Sequence, residues 1–250
     1  MRVPRHLGVL VLVLALTVSG CSSTSDAETT LTVSAASSLT ETFTDLASTF
    51  EGDHPGVRVA LNFAGSSALA EQVNAGAPVD VIATASAATM ATVEDAGNAI
   101  DPRVFATNRL TVVVPVGNPA GVSSLADLTK AAVRTAICAP QVPCGAATEK
   151  LLQRNGVSIN AVTLDPDVKS VLGRVAAGEV DAGLVYVTDA ASASADVTPV
   201  AIPDNANEST DYLIAVVDAA PHPGLAADFI SLVTGAVGQQ ALADRGFGAP

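Results

Sequence analysis

The sequence predicts an α/β fold of two lobes, each a mixed sheet flanked by helices, with a ligand cleft between the lobes. Short β-branched runs alternate with amphipathic runs at helical spacing, a pattern typical of α/β proteins with largely parallel strands. The roughly 230 residues that follow position 20 suffice for either one large domain or two lobes. The formal net charge of −13 argues against nucleic acid as a partner.

Each predicted element has a local reason. Residues 38–50 place Leu39, Phe43, Leu46 and Phe50 at helical spacing, which indicates an amphipathic helix. Residues 110–116 are a near-continuous β-branched run, typical of a buried parallel strand. The small polar residues 190–195 indicate a loop. The predicted strands are 30–35, 57–63, 80–84, 110–116, 134–138, 181–186, 197–202 and 212–217, and the predicted helices are 38–50, 67–75, 87–96, 146–155, 168–177, 224–234 and 237–244.

The chain is expected to cross between lobes twice, near Asn108 and near Asp211. The cleft between two lobes is a natural ligand site. The expected division is a signal peptide at 1–20, a tether at 21–28, lobe I at 29–107 plus 212–250, and lobe II at 108–211.

The first twenty residues are typical of an export signal. Arg2 and Arg5 precede an uncharged apolar run at 7–18, which is shorter than the roughly 20 residues of a membrane-spanning helix. The run ends in Val-Ser-Gly-Cys21, which resembles the lipobox cut by signal peptidase II before a lipid-carrying cysteine. A secretory signal with a chance cysteine is the alternative, but the polar tether after Cys21 favours a lipid anchor. The protein is therefore expected outside the cytoplasm, held on the cell membrane by lipid on Cys21.

The other two cysteines, Cys138 and Cys144, lie close together among prolines and a glycine. In an oxidising compartment this spacing indicates a short-loop disulfide, with two free buried thiols as the alternative. Loss of Arg2 and Arg5 with the signal would bring the formal charge to −15. A chain this acidic repels anions at long range, so an anionic ligand would need a strong local site.

Two strand-to-helix turns are rich in serine. Ser38, with Glu41 three residues later, matches a capping box, and Gly65 allows a tight turn before Ser66 and Ser67. Helix starts carry unpaired N–H groups and the positive end of a dipole, so two such starts facing one point could bind an anion without Lys or Arg. Simple helix capping by serine is the alternative for either turn alone.

Several segments, in this order, resemble the periplasmic molybdate-binding proteins of the type II binding-protein fold. The resemblance covers nearly the whole chain after the signal and implies a solute-binding protein of an ABC importer. The resembling segments are AASSLT at 35–40, FAGSS at 63–67, QVNAGAPVD at 72–80, VPCG at 142–145, DV at 167–168, GLVYVTDA at 183–190, QQAL at 239–242 and GF at 246–247.

The resemblance implies an oxyanion site made only of hydrogen-bond donors. Ser38 and Ser66 would each give a hydroxyl and an N–H, Cys144 and Val168 a backbone N–H, and Tyr186 its phenol. Cys144 stands where the family often has alanine, which is tolerable because only the amide is used. From composition alone, Tyr186 would more often be a half-buried strand residue.

Donor-only chemistry suits molybdate or tungstate, which are fully deprotonated at neutral pH. Sulfate has the same charge, and phosphate differs by carrying a proton that needs an acceptor.

No cofactor is expected, and no metal would be bound directly, because molybdenum would enter as molybdate. The expected partners are the oxyanion, an ABC permease and the membrane through the lipid; the chain itself is expected to be a monomer.

Two other classes compete with this interpretation. A serine or cysteine hydrolase needs a nearby base, yet His54 and His222 lie in proline-flanked polar stretches and no Gly-x-Ser-x-Gly elbow occurs, so no enzyme is expected. A surface interaction lipoprotein would explain the anchor and the acidity, but not the two serine turns with Tyr186. A binding protein for sulfate or phosphate remains an alternative within the same class.

Overall fold

The computed structural model describes Met1 and residues 28–250. The predicted signal peptide after Met1, Cys21 and most of the tether therefore lie outside the described residues. Within the described part, no helix has the length and apolar character that crossing a bilayer would require.

The described residues form an alternating series of strands and helices. The strands are β1 Thr29–Ala36, β2 Val57–Ala64, β3 Val81–Thr84, β4 Ala99–Pro115, β5 Thr135–Cys138, β6 Ala161–Asp165, β7 Ala182–Tyr186, β8 Val197–Val200 and β9 Ser209–Val217. The helices are α1 Thr40–Asp53, α2 Ser66–Asn74, α3 Ala87–Asp95, α4 Pro143–Arg154, α5 Val168–Ala176, α6 Val187–Ser192, α7 Pro223–Thr234 and α8 Ala236–Asp244. Short 3-10 turns occupy Ser37–Leu39, Leu125–Thr129 and Asp204–Ala206.

The strands follow the order β2-β1-β3-β9-β4-β7-β5-β6, and β8 also pairs with β4. The pairs of β1 with β2 and β3, and of β5 with β6 and β7, are parallel, whereas β4 and β9 run antiparallel to all their neighbours. We use lobe I for the part containing β1–β3 and lobe II for the part containing β5–β8. The predicted mixed α/β architecture is confirmed.

Strand β4 is the longest and links the two lobes. It pairs with β9 from Ala99 to Arg109, and from Leu110 onward it pairs with β7. The lobe crossings near Asn108 and Asp211 stay a prediction; both residues lie in the paired part of β4 and β9, close to this change of partners. The prediction of a parallel strand at 110–116 was wrong, because burial on both faces produces a continuous apolar run whatever the strand direction.

Two elements were not predicted, and several boundaries differ, above all that of β4, which begins at Ala99 instead of residue 110. Strand β6 exposes Val162 and Leu164 at the sheet edge, so its pattern lacks the signature of a buried strand. Helix α6 has six residues, which are too few to show the repeated apolar spacing by which a helix is recognised in a sequence. It also extends into the stretch expected to be a loop. Helix α4 begins at Pro143 instead of residue 146, because proline is well suited to a first helical position.

The core of lobe I is an aromatic cluster against α1. Phe43 lies 5.8 Å from Phe229 and 6.0 Å from Phe105, measured between ring centroids. Phe105 in turn contacts Tyr212 edge-on at 6.3 Å. The predicted apolar face of α1 is thus buried. These aromatic contacts hold the start of α1 close to β9.

Asp189 in α6 is a buried carboxylate. Its side chain is fully buried, and neither oxygen has a hydrogen-bond partner among the described residues. Lys169 Nζ lies 3.4 Å from its Oδ1. Burial raises the pKa of Asp189 to about 7, and the neighbouring Lys169 only partly opposes this effect.

Replacement of Asp189 by Asn should change how stability depends on pH. The folded protein binds the Asp189 proton up to about pH 7, whereas an unfolded aspartate releases it near its ordinary pKa of 3.8. The wild-type free energy of unfolding should therefore fall as pH rises through this window, relative to Asp189→Asn, by about 1 kcal/mol per pH unit. Urea denaturation at a series of pH values measures the difference.

The exposed Asp95→Asn is the matched control, and its curve should stay parallel to that of the wild type. Parallel curves for Asp189→Asn and the wild type between pH about 4 and 7 would contradict the assigned pKa.

Candidate functional site

The five residues predicted for the oxyanion site line one small cavity between the lobes. They are separated by up to about 150 positions along the chain, yet the cavity that they share has an empty volume of about 220 Å³. Lobe I supplies Ser38 and Ser66, and lobe II supplies Cys144, Val168 and Tyr186. The remaining lining residues are Ala36, Ser37, Ala64, Gly65, Ala85, Val142, Pro143 and Asp167.

Three helix starts converge on this cavity. Ser66 is the first residue of α2, Cys144 the second of α4 and Val168 the first of α5. The first N–H groups of a helix have no partner within it, and the helix dipole places positive charge there. An arrangement of three such ends around one point is suited to an anion.

Ser38 does not cap a helix, so the predicted capping box was wrong. Ser38 lies in a 3-10 turn, and α1 begins after Leu39 without a side-chain cap. The Ser38 hydroxyl instead lies 2.8 Å from the Tyr212 hydroxyl, and Glu41 binds Lys169 across the cleft at 2.7 Å. Tertiary contacts have displaced the local interaction that the spacing favours.

The serines of the second turn do not cap α2 either. The Ser66 hydroxyl accepts a hydrogen bond from the Ala85 backbone N–H at 3.0 Å. The Ser67 hydroxyl donates to the Gln141 carbonyl in lobe II at 2.7 Å. Because the Ser66 oxygen is already an acceptor, its own proton can point into the cavity.

Gly65 is needed for a reason other than the tight turn that the sequence suggested. Its φ is −60°, a value open to any residue. A Cβ on Gly65, however, would lie 2.3 Å from the Pro166 carbonyl oxygen of lobe II. Glycine therefore permits the two lobes to approach closely beside the cavity.

The disulfide between Cys138 and Cys144 is present, with the two Cα atoms 5.7 Å apart. It ties the end of β5 to the first turn of α4. The next residue, Gly145, has no room for a side chain, because a Cβ there would lie 1.8 Å from the Ala139 carbonyl. Bridge and glycine together hold the Cys144 N–H in place.

One carboxylate, Asp167, also lines the cavity. It is the N-cap of α5, and its two oxygens accept from the Ser170 N–H and the Ser170 hydroxyl, each at 3.0 Å. These contacts hold the negative charge on the helix side and leave the Val168 N–H for the cavity.

Tyr186 is fully buried, with 1% of its surface exposed, whereas composition alone favours a half-buried strand residue. Its hydroxyl has no hydrogen-bond partner within the described chain. Burial, and secondarily the charge of Asp189, raise the pKa of Tyr186, so the phenol stays protonated. A buried, unpaired hydroxyl beside the cavity is an available donor.

Sequence reasoning missed Ala85, Tyr212 and Asn108. The first two hold the hydroxyls of Ser66 and Ser38, and Asn108 contacts the Tyr212 hydroxyl at 3.4 Å. No local signal marks them, since each acts through a neighbour distant in sequence.

A larger cavity, about 1240 Å³, lies beside the lobe crossing, but none of the five predicted residues lines it.

Comparisons with known proteins agree with this architecture. Residues 31–248 match the family described as bacterial extracellular solute-binding protein. The molybdate-binding protein ModA of Mycobacterium tuberculosis is 42% identical over 221 residues, which cover 88% of this chain and 85% of the relative. This relative confirms the resemblance to molybdate-binding proteins that the sequence motifs indicated.

Two solved structures share the fold. The periplasmic molybdate-binding protein of Azotobacter vinelandii matches with a TM-score of 0.78 at 22% identity, covering 88% of this chain and 99% of that chain. The sulfate-binding protein SubI of Mycobacterium tuberculosis also matches with a TM-score of 0.78, at 20% identity, covering 88% and 86%. The family comprises solute-binding proteins and not enzymes, as the sequence predicted. The chain therefore belongs to the bacterial extracellular solute-binding protein family.

Proposed function

We propose that the protein captures molybdate, with tungstate as a second ligand, in the cavity between the lobes and delivers it to an ABC importer. One observation carries the proposal: Ser38, Ser66, Cys144, Val168 and Tyr186 line one cavity. Lys, Arg and His are absent from the described residues that line it. The 42% identity to a molybdate-binding protein supports this choice of ligand.

The energetics of such a site are favourable. A dianion without protons offers only acceptors, and hydrogen bonds to a charged group contribute about 1.5–3 kcal/mol each in proteins. Two hydroxyl-plus-amide pairs, two further amides and one phenol make about seven such bonds, enough to offset desolvation. Neutral donors also avoid the cost of burying a lysine or arginine in the empty state.

Sulfate is the alternative ligand, because it is tetrahedral and has the same charge. The structural likeness to a sulfate-binding protein rests on 20% identity and extends to the fold alone. An interaction lipoprotein without a small ligand is the remaining alternative, and the buried, unpaired Tyr186 hydroxyl argues against it.

Capture would proceed by hinge closure of the two lobes around the anion. The proposed hinge lies where the chain passes between lobe I, residues 29–107 plus 212–250, and lobe II, residues 108–211. The change of β4 partners at Arg109 and Leu110 supports this position. The cross-lobe bonds of Glu41 with Lys169 and of Ser67 with Gln141 would then stabilise the closed form.

We further propose that lipid on Cys21 anchors the protein outside the cytoplasm. The support is the lipobox-like Val-Ser-Gly-Cys21 sequence and the polar tether after it. Two acyl chains give a stable anchor where one is marginal. The protein would act as a monomer beside its permease, with no nucleic acid involved.

The ligand assignment predicts an order of thermal stabilisation. Molybdate and tungstate should raise the melting temperature of the protein, whereas sulfate and phosphate at equal concentration should have little effect. The shift follows the ratio of ligand concentration to Kd, so a titration yields affinities. A larger shift with sulfate would reassign the ligand, and no shift with any of the four anions would favour the interaction lipoprotein.

The site assignment predicts the effect of removing donors. Ser38→Ala combined with Ser66→Ala should abolish molybdate binding, because four of about seven donors lie on these residues and two hydroxyls are lost outright. Tyr186→Phe should weaken binding by roughly ten- to a hundredfold, equivalent to about 1.5–3 kcal/mol for one charge-assisted bond. Isothermal titration calorimetry measures both, with circular dichroism to verify folding; retained affinity in the double variant would refute the site.

The anchor proposal predicts the location of a Cys21→Ser variant. Without the thiol that carries lipid, the variant should incorporate no fatty acid and should not partition into the detergent phase. The wild type should do both. Labelling with a radioactive fatty acid measures this directly. Fatty-acid incorporation that persists in Cys21→Ser would contradict an anchor at this position.

A further inference from the structure

A buried chain of hydrogen bonds leads from the lobe crossing to the cavity. The Ser38 hydroxyl lies 2.8 Å from the Tyr212 hydroxyl. Behind it, Asn108 Nδ2 lies 3.4 Å from the same Tyr212 oxygen and 2.9 Å from Thr188 Oγ1. The four residues are each at most 5% exposed, so these groups depend on one another for hydrogen bonds.

The direction of the chain follows from the orientation of the Asn108 amide. Asn108 Oδ1 accepts from the Arg109 backbone N–H at 2.9 Å, which places Nδ2 towards Tyr212. An amide nitrogen donates and cannot accept. Among the described groups within hydrogen-bond distance of the Tyr212 oxygen, Ser38 Oγ is the one that can accept its proton, because the Tyr186 hydroxyl lies beyond that distance. Tyr212 is therefore assigned as the donor to Ser38.

Ser38 is thereby left with its own proton for the cavity. Because its oxygen accepts from Tyr212, the hydroxyl faces a ligand as a donor. The Ser66 oxygen likewise accepts a hydrogen bond, from the Ala85 backbone N–H at 3.0 Å, and keeps its own proton for another partner. The two serines of lobe I thus both present a proton to the ligand.

We infer that Tyr212, oriented by Asn108, is a positioning residue that holds Ser38 as a donor and so makes the site reject oxyanions that carry a proton. The inference rests on the proposed oxyanion-binding function. Near pH 8, hydrogen phosphate is a dianion like molybdate and sulfate, but it keeps one O–H that needs an acceptor. Opposite Ser38 that proton meets another proton, and the one carboxylate of the lining, Asp167, already accepts from Ser170 through both oxygens. An unpaired donor in a closed site costs about tenfold or more in affinity.

Tyr212→Phe tests the inference, because it removes one hydroxyl and keeps the ring packing. The Ser38 hydroxyl becomes free to rotate and to accept. The affinities for molybdate and sulfate should each fall about three- to tenfold, while that for hydrogen phosphate should stay unchanged or rise. Thermal-shift titrations at about pH 8, with sulfate and phosphate carried to concentrations at which weak ligands also shift the melting temperature, give the three affinities. The molybdate-to-phosphate affinity ratio should fall about tenfold.

A second variant and a control separate positioning from packing. Asn108→Leu removes the amide that orients Tyr212 and should lower the same ratio by a smaller factor. Thr135→Val removes a buried, unpaired hydroxyl of lobe II outside the cavity and should leave the ratio unchanged. The melting temperature of each ligand-free variant reports the structural effect independently.

Each outcome decides the matter. Equal weakening of all three anions would make Tyr212 a packing residue and overturn the inference. So would an unchanged ratio, including the case in which hydrogen phosphate binds neither the wild type nor Tyr212→Phe. Failure of the wild type to bind any of the anions would remove the proposed function itself, and the inference with it.

Discussion

The structure depends on unpaired hydrogen-bond donors that meet where helices begin. The starts of α2, α4 and α5 and the turn at Ser38 border the same cavity. Each start carries N–H groups that its own helix cannot satisfy. A bound anion without protons would satisfy them together. A protein of net charge −13 can in this way offer a local anion site without cationic side chains.

Contacts outside the cavity keep these donors in position. The disulfide at Cys144 fixes one helix start, and Asp167 holds another through Ser170. Gly65 lets the lobes come close enough for both sets of donors to share one cavity. Rigid placement matters because hydrogen-bond energy falls steeply with poor geometry. Recognition of an anion in the proposed site would therefore depend on the surrounding scaffold as well as on the donors.

Local patterns predicted most strands and helices, because hydrophobic spacing reports directly on burial. They failed where an element is short, as in α6, or exposed at an edge, as in β6. They also failed on the direction of β4, since an apolar run is the same for a parallel or an antiparallel buried strand. The capping box at Ser38 failed for a related reason: the spacing allows it, but Tyr212 provides a different buried partner.

The sequence by itself determined which residue types stand at the helix starts and, through a family resemblance, which five to expect in one site. Only the tertiary structure decided how they are held. Ser38 and Tyr212 are 174 positions apart, and Ser66 meets the Ala85 N–H through strand and helix packing. Such contacts leave no periodic trace, because they depend on the position of whole elements and not on neighbours along the chain. The donor or acceptor state of each hydroxyl is therefore a property of the fold.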